Sequence, residues 1–218
     1  MTDIGTIADV AASWVAFALV HSATVSGRWH GWLRRRVGDR RFLAFHRLFY
    51  TLLSVATFTL LVLHLRSIPD RPLYSLFPPW RWLFRLLQGA GLAILLRTPV
   101  RLPEFLGFRQ ALSGLRSSPP QDAEPAPRLY TGKTYGLVRH PLYLGCIALL
   151  LFQPDQTVVS AASSGMATLY FYVGTFHEEA RLVREFGQAY REYRATVPRL
   201  VPSWKGLRRL VRRGGKTG

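Results

Sequence analysis

The chain has 218 residues, of which 49% are hydrophobic and 13% aromatic, and 29 Lys and Arg stand against 12 Asp and Glu for a formal charge of +17. A single cysteine, Cys146, excludes an internal disulfide and any cysteine-built zinc cluster. Lys and Arg are absent before Arg28 and again from Leu142 to Glu179, and they crowd between apolar runs, which fits a chain that keeps charge out of hydrocarbon better than it fits a nucleic-acid binder.

A hydrocarbon core of about 30 Å takes about 20 mainly apolar residues of helix. The first candidate runs from Ile4 to His21; Asp3 and Asp9, with no basic region and no small-residue cleavage site, argue against a removable signal peptide. A loop from Arg28 to Arg41 with six arginines leads to the second span, Phe42 to Leu65, bounded by Arg40-Arg41 and Arg66. Trp80 to Leu96 forms the third, with Trp80 and Trp82 as interfacial anchors and Arg97 at its far end. Residues 116–128, rich in proline and serine, read as a flexible linker. The apolar run Leu142 to Phe152 is too short to cross alone, so the fourth span is taken as 135–153, and Gln153-Pro154-Asp155-Gln156 turns the chain into the fifth, Thr157 to Phe176. Residues 178–197 follow as an amphipathic helix with Leu182, Val183, Phe186, Tyr190, Tyr193 and Val197 at helical spacing. A basic tail, 205–218, suits anionic lipid. The expectation is one all-α domain, 1–218, with five transmembrane helices. The arginine distribution directs the N-terminus outward and the basic segments to the cytoplasm, and the expected setting is a bacterial inner membrane.

The chemistry concentrates where a basic loop enters the fourth span, at Tyr135, Gly136, Leu137, Val138, Arg139, His140, Pro141, Leu142, Tyr143, Leu144 and Gly145. Proline suits the first position of a helix, and that end offers free N–H groups and the positive pole of the helix dipole. Glu178-Glu179 closes the fifth span at the same membrane depth, so one hairpin brings an anion-binding helix start and Arg139 toward a carboxylate pair. A zwitterionic, cationic cofactor suits that arrangement, its carboxylate at the helix start or Arg139 and its ammonium and hydroxyls at a glutamate. Each piece also has a plain reading: a snorkelling arginine at an interface, one glutamate as a solvated helix-end charge, Tyr190 and Tyr193 as packing residues, His21 as a polar cap.

Arg139-His140-Pro141-Leu142-Tyr143, Glu178-Glu179, Phe186-Gly187-Gln188-Ala189-Tyr190 with Tyr193, then Val197-Pro198 and Pro202, resemble the signature of the isoprenylcysteine carboxyl methyltransferase and phospholipid methyltransferase superfamily. The resemblance covers about Leu129 to Trp204. It implies a multispan enzyme whose S-adenosylmethionine pocket, releasing S-adenosylhomocysteine, is built from this hairpin and the C-terminal helix. His21-Ser22, Arg47 to Tyr50, and Phe105 to Gln110 resemble the bacterial methanethiol S-methyltransferase branch, which methylates a small thiol. The sequence departs from that branch at Leu151 to Gln156, in place of a Trp-containing pattern ending in Met-Thr, and at Val197-Pro198-Arg199. Methyl transfer from a sulfonium requires alignment and water exclusion, and the thiolate is the reactive form of a thiol. His21, Arg47 and Tyr50 are candidates for lowering the thiol pKa, with Arg139 and His140 at the cofactor side and His140 as another possible base. No metal is expected, since the six histidines are scattered. The expected partners are a small-molecule methyl acceptor and membrane lipids, without nucleic acid or an obligate protein partner. A lipid or isoprenylcysteine acceptor, or a non-catalytic membrane accessory subunit, stays open.

Overall fold

The computed structural model describes residues 2–100, 103, 106–115 and 129–204; Phe105, the expected linker and the expected basic tail lie wholly or largely outside them. Among the described residues the chain is predominantly helical and falls into two compact units, Met1–Asp70 with Val100–Ala126, and Arg71–Pro99 with Pro127–Gly218.

In the first unit, α1 (Asp3–Val25) starts on Thr2, whose hydroxyl accepts from the Gly5 N–H at 3.3 Å, and it buries Thr6, Val10 and Trp14 at a spacing of four. Ser26 ends α1 and caps α2 (Gly27–Val37) by accepting from the Trp29 N–H at 3.2 Å. This amphipathic helix occupies what composition alone presented as a charged loop. The longest element of the unit is α3 (Asp39–Ser67), and α5 (Phe108–Leu115) packs on it. By length and composition α1 and α3 are both able to cross a membrane. Their apolar side chains point outward: Leu19 and Leu60 are each 66% exposed. Exposed apolar faces of this kind suit hydrocarbon surroundings.

The second unit opens with a short strand, β1 (Pro72–Ser75), followed by α4 (Trp80–Arg97). Helix α6 (Pro141–Leu151) is apolar and shorter than a span. It packs on α4 at a close crossing, where a Cβ on Gly145 would fall 2.9 Å from the Gly91 carbonyl oxygen. The turn after α6 contains β2 (Asp155–Thr157), paired antiparallel with β1. Thr157 then caps α7 (Val158–Phe186) in a reciprocal box with Ser160. Helix α7 carries the chain past Glu178 and Glu179 without interruption, so the expected amphipathic helix begins inside it. Gly187, at φ 56°, breaks the run, and α8 (Gln188–Thr196) turns back. Tyr190, Tyr193 and Val197 pack there against Leu129, Leu182, Val183 and Phe186.

Candidate functional site

The site is set by the segment entering α6. A 3-10 turn, Lys133–Gly136, is fixed to α4 by a buried hydrogen bond of 3.1 Å from the Thr98 hydroxyl to the Thr134 hydroxyl. Leu137 and Val138 follow with buried side chains, and Pro141 occupies the first helical turn of α6 with no side-chain cap. The Arg139 and His140 N–H groups donate to the carbonyls of Pro198 and Arg199, at 2.9 and 3.2 Å. This short backbone zip ties the α6 entrance to the residues beyond α8.

Two charged layers are built on that zip. Glu179, 3% exposed, lies at the centre of the inner one. Its Oε1 accepts from Arg139 Nε at 2.9 Å and from Arg199 Nε at 3.1 Å, while Oε2 accepts from Arg199 Nη2 at 3.2 Å. Arg139 also donates to the backbone carbonyls of Arg194 and Val197, so its planar fork is spent inside the network. The Arg199 guanidinium lies over the Phe176 ring at 3.9 Å. Burial pushes the Glu179 carboxyl up, but the hydrogen bonds from Arg199 and Arg139 outweigh it and hold the group below the usual glutamate range.

Glu178 forms the outer layer. Its side chain is 36% exposed, and Oε2 lies 3.3 Å from His140 Nδ1, whose Nε2 lies 3.3 Å from Glu179. Burial opposes its charge too, and the hydrogen bond from His140 overrides that and lowers it. The His140 ring is buried, stacks parallel to Tyr143 at 5.5 Å, and presents both nitrogens to carboxylates. Tyr193 donates to the Tyr135 carbonyl at 2.8 Å, fixing α8 against the turn. Tyr190, 1% exposed, carries a buried hydroxyl without a hydrogen-bond partner among the described residues. Its phenol is raised to about 12 by burial and by the nearby Glu179 carboxylate.

Of the residues singled out from sequence, Tyr135 to Tyr143, Glu178, Glu179, Tyr190 and Tyr193 therefore belong to one neighbourhood of the second unit. Gly145 lies at the α4 crossing instead, where it lets two helices touch. His21, Arg47 and Tyr50 belong to the first unit. There the Tyr50 hydroxyl is hydrogen-bonded to His21 Nε2, and Ser54 Oγ lies 3.2 Å from His21 Nδ1. Arg199, which the sequence offered only as part of Val197-Pro198-Arg199, was not singled out as a site residue.

The chain matches the family described as NnrU protein over residues 10–208. It is 35% identical over 115 residues to methanethiol S-methyltransferase of Pseudomonas deceptionensis, an alignment covering 53% of this chain and 42% of that protein. With methanethiol S-methyltransferase 2 of Bradyrhizobium diazoefficiens it shares 30% identity over 195 residues, or 88% of this chain and 72% of the relative. A methanethiol S-methyltransferase of a Pseudomonas species is 28% identical over 194 residues, covering 85% and 69%. No solved structure matches it.

Proposed function

The chain belongs to the NnrU family, and from that premise we propose that it is a membrane methyltransferase that uses S-adenosylmethionine to methylate a small thiol such as methanethiol. The relatives named for that reaction support the reaction class. The observation that carries the site is a half-open carboxylate, Glu178, near a buried hydroxyl, Tyr190, that has no hydrogen-bond partner among the described residues, beside the start of α6, which has no side-chain cap.

These groups fit the proposed cofactor. A buried hydroxyl without a partner costs about 1–3 kcal/mol, and a bound polar ligand removes that cost. Glu178 offers an anionic acceptor to an ammonium or to ribose hydroxyls, and the α6 N-terminus offers N–H groups to a carboxylate. Glu179 and Arg139 are committed to one another, so we assign them to holding the niche and Glu178 to contact. His140 positions Glu178 through Nδ1. When bound, S-adenosylmethionine supplies an electrophilic methyl group for in-line transfer to the acceptor sulfur. The chain's own residues fix the orientation and exclude water by holding α8 and the segment after it over the α6 entrance, through Tyr193 and the backbone pairs 139–198 and 140–199.

The outward apolar faces of α1 and α3 support a membrane setting. We propose five spans, with α4, residues 135–153 and the part of α7 up to Phe176 completing the set, the N-terminus outside and the cofactor niche on the cytoplasmic side of an inner membrane. The test is to incubate the purified chain with methyl-labelled S-adenosylmethionine and, separately, methanethiol, a lipid extract and a prenylated cysteine. Label in dimethyl sulfide is the expected result. Label only in lipid or prenylcysteine would replace the thiol, and no transfer to any acceptor would favour an accessory role.

A further inference from the structure

Helix α2 has no part in the site above, and its chemistry points elsewhere. Its eleven residues bury none of their side chains. Trp29, Trp32 and Arg36, spaced three and four apart, share one face; the indoles stack at 5.1 Å and the Arg36 guanidinium lies over Trp32 at 5.6 Å. Arg28 and Arg35, seven apart, form the neighbouring stripe. The opposite side meets α3 through His30, whose ring contacts Phe42 and His46. From Gly27 to Arg41 there are six arginines and one carboxylate, Asp39, which Arg34 takes at 2.6 and 2.9 Å. Among the described residues no carboxylate pairs with Arg28, Arg35 or Arg36.

Position supplies the second constraint. Only Ser26 separates α2 from α1, and Gly38 joins it to α3, so α2 caps the same end of the two helices that are able to cross a bilayer. A helix held there, with paired indoles and with guanidiniums that face no carboxylate among the described residues, has the composition to meet headgroups. Indoles suit the interfacial layer, and each guanidinium forks onto a phosphate. We propose that α2 is an interfacial recognition helix that lies on the membrane surface and gathers anionic phospholipids, through Arg28, Arg35 and Arg36, around the first unit. This rests on the membrane placement proposed above.

The test places the full chain in nanodiscs containing brominated phosphatidylglycerol or brominated phosphatidylcholine at equal mole fraction. Indole quenching that is lost in the Trp29→Phe/Trp32→Phe chain defines the part due to α2. That part is expected to be about threefold larger with the anionic lipid, and to become equal for the two lipids in Arg28→Gln/Arg35→Gln/Arg36→Gln. Equal quenching in the unaltered chain, or a preference that survives the triple substitution, would overturn the proposal. So would quenching confined to indoles other than Trp29 and Trp32, because α2 would then stand off the surface. Absence of quenching at every indole would contradict the membrane placement itself.

Discussion

Two arginine–carboxylate clusters stand at the two ends of the α6–α7 hairpin, and the medium around each one separates their consequences. At the turn end, Asp155 is exposed, accepting from Ser75 and from Arg81 at 2.6 and 3.1 Å. Glu179, at the α6 entrance, has a comparable set of donors but almost no contact with water. Water solvates the Asp155 charge whether or not Arg81 is present, so that pair mainly fastens β1 and α4 to the turn. Around Glu179 no such substitute exists, and each arginine is required by the carboxylate it faces. Similar side chains thus make a surface clasp in one place and the frame of a binding niche in the other.

Removing the centre of the buried cluster gives the largest effect. Glu179→Ala is expected to cost about 3–5 kcal/mol in unfolding experiments, because two guanidiniums lose their counter-charge, and to abolish methyl transfer. A loss no greater than that of a surface pair, about 1 kcal/mol or less, would erase the distinction between the two ends.

Acid titration probes the same pair without a substitution. The Glu179 carboxyl is held lower in the folded chain than in the unfolded one, opposed by burial and lowered by Arg199 and Arg139. Its contribution is therefore complete above the ordinary glutamate pKa and disappears as pH falls through the lower, folded value. Glu178 is shifted in the same direction and adds to the slope. The unfolding midpoint should drop through this acidic window, and Glu179→Gln should flatten the drop.

Tyr190→Phe separates packing from contact. The hydroxyl has no partner among the described residues, so its loss should leave the stability of the ligand-free chain unchanged or slightly higher. Affinity for S-adenosylmethionine should fall by about fivefold to tenfold, as expected for one hydrogen bond. A destabilised chain with unchanged affinity would make Tyr190 a packing residue alone. Asp155→Asn, at the exposed end, should change neither the unfolding midpoint nor turnover detectably.

The convergence of Arg139, His140, Glu178 and Glu179 was legible in the sequence, because a proline-started helix and a carboxylate doublet on either side of a short turn leave little freedom. Arg199 was less visible: it lies beyond the end of α8, and helical spacing says nothing of how far a side chain reaches from an irregular segment. The β1–β2 pairing was hidden by the brevity of both strands and the prolines around them. Across Gly187 the apolar period runs on, since Phe186 and Tyr190 are four apart, so periodicity alone joined two helices that a positive φ separates. His21 and Tyr50 were each named from sequence; their hydrogen bond, and the part of Ser54 in it, required the α1–α3 packing.

The assignment of Glu178 to cofactor contact is tested most directly by titrating the full chain in detergent with S-adenosylmethionine, alongside Glu178→Gln. The unaltered chain should bind, and the variant, unfolding at a similar temperature, should bind about tenfold more weakly, as for the loss of one charge-assisted hydrogen bond. Equal affinities, or no binding by the unaltered chain, would contradict it.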